Sequence, residues 1–493
     1  MAYYSRTRKF IMAVWAVVET VLFGGLIFGW GSIVFVLKDS GVYSYLCNQD
    51  GEDSVTGCSA QDSRLSLVFA IDSALYGVGC AVIGQINYRY GTRVTRIISS
   101  LIFITGTLLM TFESPSIPWL VFPGLACIGI GGIPLFITNA QIGNLFETGG
   151  STFVAMLSGA VSMSAIIELI AKVAYEHGFS TQKFYLLLTG LYSMTFVSTF
   201  IFLPKDFITK TPSTLFDKHQ KKQKDEPVCI ISYVINKDDL DDKNKAKDFH
   251  LEDMNRNKLE IEYDTEKPFL PLLKHCILSH EYLLQVYWFS ILQLIYLYFL
   301  SSLNPWLNQI FHGDEVQVSY FTNLLLYLMM GNFILSPIVG ALYDWFQRYY
   351  KDSSSKKRRE MMPAVIPLMC GSALGLILTI LMSLPASTAT LYPIFTIVVT
   401  FRSFVYSSPA SVFSAVFPAQ YFGSLFGIMI VSAGLIGLLQ FALFTWAEST
   451  SFIRVWHCLV FLVCTTLIHP LIQWRGCRRM EESMKKVPDL LKS

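Results

Sequence analysis

"GQINYRYGTR", residues 84–93, returns in altered form as "GALYDWFQRY", residues 340–349. Each stretch opens on a glycine at the end of a long apolar run, Gly84 in one and Gly340 in the other. Each sets arginines beyond that run: Arg89 and Arg93, flanking Gly91, in the first, and Arg348 in the second. Asp344 stands four residues after Gly340, and Tyr88 holds the matching place in the first copy. Such a glycine-led polar signal, recurring at a wide interval between apolar runs, is the trace of an internal duplication.

The runs themselves say what was duplicated. A hydrocarbon layer of ~30 Å is crossed by about 20 helical residues at ~1.5 Å each. Apolar stretches of that length occur near 10–37, 64–86, 96–112, 119–141, 151–175, 184–203, 281–303, 318–343, 363–385, 389–416, 424–447 and 452–472. The chain of 493 residues is 53% hydrophobic and only 15% charged, too little charge to cover a soluble surface of that size. The expected fold is therefore all-α: about twelve membrane spans in two pseudo-symmetric six-helix halves. Residues 1–203 make the first half, 204–280 a charged linker, 281–472 the second half and 473–493 a basic tail. The first run is too long for the apolar core of a signal peptide and has no small-residue cleavage site close behind it.

Lysines and arginines set the orientation. Arg6, Arg8 and Lys9 precede the first span. Arg89, Arg93 and Arg96 join the second to the third, Lys205 and Lys210 follow the sixth, and Arg348 to Arg359 lie between the eighth and ninth. Arg475, Arg478, Arg479, Lys485 and Lys486 follow the twelfth. An even number of spans puts all of these on one side, so both termini are expected in the cytoplasm, in a multi-pass protein of the plasma membrane. The net charge of +2 gives nucleic-acid binding no support. The linker carries mixed charge, few large apolar residues and no clear period, and reads as largely disordered. A docking role for partner proteins on 204–274 is the sharper alternative. Of ten cysteines, Cys47 and Cys58 bracket the first outside loop, "CNQDGEDSVTGC"; a disulfide there competes with two free loop thiols. The others fall in spans or on the cytoplasmic side. No metal-ligand spacing, nucleophile–base pair or phosphate loop stands out, so neither a cofactor nor a metal nor an enzyme is expected.

Together with the two glycine-led loops, a set of longer stretches narrows the family. "LFGGLIFGWGSIVFVLK" (22–38), "CSAQDSRLSLVF" (58–69), "FITNAQIGNLF" (136–146), "STF" (151–153), "YEHGFS" (175–180), "FRSFVYSSPA" (401–410), "FPAQYFGSLFG" (417–427) and "HP" (469–470) resemble solute carrier family 43 of the major facilitator superfamily. The resemblance runs along both halves and fails only in the linker. It implies the major facilitator fold and sodium-independent facilitated transport, by alternating access, of a small-molecule substrate. One branch of that family carries large neutral amino acids such as Leu, Ile, Met and Phe, another purine nucleobases; the wording here looks more like the nucleobase branch. In the superfamily's G-x-x-x-D-x-x-G-R loop, glycine lets helices approach while Asp and Arg bridge neighbouring helix ends in one gating state. Tyr88 departs from that pattern, so the Asp-dependent latch is not carried over to the first half. Asp72 also departs from the family's pattern.

Candidate site residues follow from depth and helical face. Span four reaches its inner end at Asn139, Gln141 and Asn144. Asn139 shares a face with Phe136 and Gly143, whereas Gln141 shares the opposite face with Ile137 and Asn144, so the three cannot all face one cavity. They read as an inner gate or a helix cap, with Asn139 as a substrate contact the rival reading and solvated interface amides the blandest. Arg402 and Glu19 lie at mid-depth, where a charge is costly and is functional or paired. They read as each other's partner, as substrate contacts, or as both in different states. Glu168 and Lys172 are spaced for an i,i+4 pair. Gln293, Tyr296, Tyr406 and Ser407 lie near the middle of spans seven and ten, with Ser290 and Ser403 beside them. Carboxamides read the edge of a planar neutral base, and rings stack on its face. A zwitterionic amino acid needs two charged anchors, often at a helix break, which Gly24, Gly25, Gly29 and Gly31 could supply if they are not simply packing residues. The rival of another class is a non-transporting membrane sensor or scaffold that signals through the linker.

Overall fold

The computed structural model describes residues 5–49, 59–146, 148–208, 269–312, 314–353, 356–385, 387–418 and 421–490. The chain divides into a helical body, 1–211 with 284–493, and a segment 212–283. Within that segment the described residues form the helix Phe269–Ile277 and the first turn of the next. Most of the charged linker, and Cys58, lie outside the described residues. Cys47 is disulfide-bonded.

Among the described residues nine helices are long and apolar enough to cross a membrane, or eleven when each of two bent pairs is taken as one span. One of the nine, Ser59–Thr111, has 53 residues and contains Gly91 at φ 79°, ψ 172°. An unbroken helix of that length would measure ~80 Å, far more than a bilayer. Left-handed backbone at φ 79° suits glycine alone, so Gly91 ends one span and starts the next. That break brings the count to the twelve expected. In chain order the spans occupy 6–39, 59–90, 92–111, 118–145, 150–176, 181–202, 280–310, 315–349, 356–382, 388–416, 422–449 and 452–490, and are numbered 1 to 12 below.

Spans 1 and 8 are the bent ones, by 46° after Phe23 and by 43° at Gly331. In span 1 the Gly25 N–H loses its helical acceptor and donates to Ser164 Oγ of span 5 at 3.1 Å. A Cβ on Gly25 would lie 2.3 Å from the Val161 carbonyl oxygen, so this glycine both breaks the helix and packs it. Without a hydrophobic drive between helices in lipid, close approach at small residues holds the first half together. Gly132 meets the Phe23 carbonyl oxygen, and Gly106 the Gly124 carbonyl oxygen. Phe103 and Tyr192 stack at 4.0 Å and 15°, with Phe23 edge-on to both.

Three sequence expectations are corrected. Arg96, assigned to a cytoplasmic loop, is 1% exposed, because span 3 begins immediately after Gly91 and carries Arg96 a turn inside the helix bundle. Glu168 does not pair with Lys172. It accepts from the Tyr185 hydroxyl at 3.2 Å, while Lys172 reaches Glu176 at 3.7 Å and lies over the Phe35 ring. Glu168 is fixed in the interior against Gly29, and the long lysine stem carries its ammonium outward. The carboxamides of span 4 do not cap the turn into span 5; their partners are given below.

Candidate functional site

Span 1 places Glu19 and span 3 places Arg96 within 2.9 Å of each other, both fully buried. Each remaining lone pair and donor of this pair has a partner. Trp15 Nε1 donates to Glu19 Oε1 at 2.9 Å, and Ser198 Oγ of span 6 donates to the same oxygen. Arg96 Nη2 also reaches Asn139 Oδ1 at 2.7 Å, Nε reaches Thr138 Oγ1 at 3.0 Å, and Nη1 faces Ser198 Oγ. Asn139 Nδ2 donates to the Ala16 carbonyl at 3.2 Å and to Thr20 Oγ1 at 3.3 Å. A buried ion pair survives only when its surplus hydrogen-bonding groups are satisfied in this way. The network ties spans 1, 3, 4 and 6 of the first half into one unit. Glu19 is thus neutralised by Arg96 rather than by Arg402, and Asn139 is committed to the same network.

Arg402 sits midway along span 10 and 8% exposed. Among the described residues no carboxylate forms an ion pair with it. Instead its guanidinium carbon lies 5.3 Å from the centre of the Tyr296 ring, 5.7 Å from Tyr406 and 5.7 Å from Phe28. Its Nη1 reaches Met329 Sδ at 3.7 Å. Guanidinium is weakly hydrated and flat, and ring faces are negative, so an arginine can rest in such a box without a counter-ion. Span 1 brings Phe28 to the box from beyond its own break, span 7 brings Tyr296, and span 8 brings Met329 from beside its break at Gly331. The box therefore stands where the halves meet. On the same two spans, 7 and 10, Ser290 Oγ, Gln293 Oε1, Ser407 Oγ, Ser408 Oγ and Arg402 Nε are buried without a hydrogen-bond partner among the described residues. Gln293 lies against the Tyr406 hydroxyl, and Phe289 packs edge-on to Tyr406 at 5.7 Å. Ser403 donates to Asn332 Oδ1 at 2.6 Å, on the far side of the break in span 8. Unsatisfied buried polar atoms are costly, and these five lie on the two spans that supply Arg402, Tyr296 and Tyr406.

Of the residues singled out in the sequence, Arg402, Gln293, Tyr296 and Tyr406 come together, while Glu19 and Asn139 do not join them. Phe28, Phe289 and Met329 complete the box. Phe28 lies in the glycine-rich stretch and could have been suspected on that ground; nothing local marks Met329. Asp72 is buried on span 2, its carboxylate packed on Gly129, and Tyr76 one turn on meets the Phe28 ring at 5.9 Å.

At the end of the body that bears the two repeated motifs, the halves are closed on each other. A Cβ on Gly84 would lie 2.4 Å from Ser424 N, and one on Gly340 would lie 2.6 Å from Thr152 Cα, so any larger residue would force the seam apart. Asp344 accepts from Thr152 N at 2.8 Å and from Thr152 Oγ1 at 2.6 Å, an anion at the N-terminus of span 5. Tyr88, in the place of the other aspartate, lies against the Tyr421 ring at 6.1 Å. Arg89 and Arg348 are exposed, and Arg93 lies over the Phe200 ring. Gln141 and Asn144 turn toward residues 206–208, away from the central box.

Comparison with known proteins agrees with this geometry. A sequence model described as the Major Facilitator Superfamily matches residues 11–442. The chain is 29% identical over 480 residues to the equilibrative nucleobase transporter 1 of Bos taurus, covering 94% of this chain and 95% of the relative. It is 23% identical over 492 residues to the large neutral amino acids transporter small subunit 3 of Homo sapiens, covering 89% and 87%. These relatives bear the names of the two branches that the sequence resembles. In fold the body is similar to a proton:xylose symporter, XylE, bound to 6-bromo-6-deoxy-D-glucose, at TM-score 0.60 and 14% identity over 96% of each chain. Twelve spans, a duplicated glycine-led seam and a family match over most of its length make the conclusion direct: the chain belongs to the major facilitator superfamily.

Proposed function

We propose that the protein is a sodium-independent facilitative transporter that carries purine nucleobases by alternating access, with Arg402 and its aromatic box as the substrate site. One observation carries the reading. A buried cation with no counter-carboxylate among the described residues is framed by rings from both halves, on spans that also carry unsatisfied amide and hydroxyl groups. Such a lining suits a planar, uncharged solute whose edge carries donors and acceptors and whose face can stack. A relative named for nucleobase transport supports it. Large neutral amino acids are the second reading, favoured by the break in span 1 just before Phe28 of the box. Saturable uptake of radiolabelled adenine and guanine is expected in proteoliposomes without sodium, with leucine and phenylalanine entering at least about tenfold more slowly, a difference of ~1.4 kcal/mol in transition-state binding. The opposite ranking would replace the first reading by the second, and absence of any saturable flux would leave a non-transporting sensor.

The same reading sets the protein in the plasma membrane, with both termini and the linker in the cytoplasm. The basic residues support that orientation. A protease site inserted at Lys243 is expected to be cut only after cells are permeabilised; cutting of intact cells would reverse the topology.

A further inference from the structure

The halves are joined by the chain that leaves span 6, and its first residues are held in a way the transport reading does not require. Residues 203–208 follow Phe202 as irregular backbone, bent at 203, 205 and 206, along the motif-bearing end of the first half. Arg93 N–H donates to the Lys205 carbonyl at 3.3 Å, and Thr92 Oγ1 to the Asp206 carbonyl at 3.4 Å. Gln141 Oε1 accepts from the Ile208 N–H at 2.8 Å, and Asn144 Nδ2 donates to the Ile208 carbonyl at 2.9 Å. The two carboxamides thus satisfy both backbone groups of one residue, as a neighbouring strand would. Gln141 Nε2 donates in turn to Thr92 Oγ1 at 2.8 Å. Gly91 makes room for the segment, since a Cβ there would lie 2.7 Å from the Lys205 carbonyl oxygen. Leu203 and Ile208 are buried.

Phe207, between those anchors, does something different. Phe207 lines a small cavity together with Gly84 and Ile137 of the first half and Ser414, Phe422 and Gly423 of the second. The segment is hydrogen-bonded to one half and borders a cavity that the other half also lines. That seam is the contact of Gly84 with Gly423 and Ser424, which must part for this end to open.

We propose that residues 203–208 are a strap that holds the cytoplasmic gate shut, with Gln141 and Asn144 as its clasp and Phe207 as its bolt. The linker that continues from it is then a handle on the gate: whatever draws the strap off the clasp opens the seam. The inference takes alternating access from membership of the superfamily and does not depend on which solute is carried.

The test uses the full chain, purified and without substrate. Nitroxide labels at Tyr90→Cys and Tyr349→Cys, both exposed and on opposite halves, report the width of the seam by pulsed dipolar spectroscopy, in a background with other exposed thiols replaced. Phe207→Ala and, separately, Asn144→Ala are expected to raise the fraction of long distances about fivefold, while Phe207→Tyr leaves it unchanged. Fivefold is ~1 kcal/mol, the net worth of one lost hydrogen bond or a comparable packing contact. Distance distributions identical to the parent in the Ala variants would overturn the proposal. Should Phe207→Ala fail to fold, Asn144→Ala decides, since it removes a single hydrogen bond at a part-buried position. Because no solute enters the measurement, a wrong substrate assignment cannot produce or mask the result.

Discussion

Arg96→Ala is expected to leave almost no folded protein at the cell surface. The substitution strands Glu19, a fully buried carboxylate, with only Trp15, Ser198 and Asn139 as neutral partners. Removing one member of a buried pair costs ~3–5 kcal/mol, comparable to much of a domain's net stability. Glu19→Ala should fail in the same way by stranding Arg96. The double variant Glu19→Gln with Arg96→Gln should recover most of the surface protein, because neither charge then remains uncompensated and the amides can bond to Asn139, Thr138 and Ser198. Surface biotinylation and the melting temperature of the detergent-solubilised protein check both. Normal levels of the single Arg96→Ala variant would show that the pair is not what holds spans 1, 3, 4 and 6 together.

Arg402→Ala and Arg402→Lys should behave differently from those variants. Removing Arg402 strands no carboxylate among the described residues, so both proteins are expected to reach the surface at near-parental levels. Transport is another matter. Lysine keeps the charge but loses the flat forked guanidinium that rests on Tyr296, Tyr406 and Phe28. With ~0.5–1 kcal/mol for each ring contact, the loss is on the order of 2 kcal/mol, or about thirtyfold in the uptake rate at low substrate. Alanine should cost at least as much. Uptake by Arg402→Lys at parental rate and surface level would show that the arginine does not touch the substrate.

Both experiments turn on a point that residue order along the chain leaves open. Glu19 and Arg402 stand at matching depth in related helices and invite pairing. Depth along a helix fixes how far a side chain lies from the membrane surface, not which neighbour it faces. Arg96 escaped notice for a related reason: a break at Gly91 moves the start of span 3, and a single turn of helix separates a solvated loop cation from a buried one. For the span 4 carboxamides, helical rotation was enough to separate Asn139 from Gln141 and Asn144, and the structure keeps them apart. The partners were beyond reach, since Ile208 is separated from Gln141 by two further spans.

What the sequence determined by itself is whatever depends on one helix at a time. Span length follows from the thickness of hydrocarbon and the rise of the helix, and the number of spans from the count of such runs. The duplication is written in the two glycine-led loops, and the family in motifs spread along both halves. Tertiary structure alone decided which side chains share a site. It brought Arg402 under three rings from spans 1, 7 and 10, gave Glu19 to Arg96, laid residues 203–208 across the end of span 4, and set Gly84 against Gly423. The physical reason is that the bilayer imposes the same requirement on every span, an apolar surface of fixed length, and is nearly indifferent to how the spans are rotated and matched. Rotation and partner are fixed instead by packing at small residues and by the high cost of an unpaired polar group in a dry interior, terms that exist only once the helices are together.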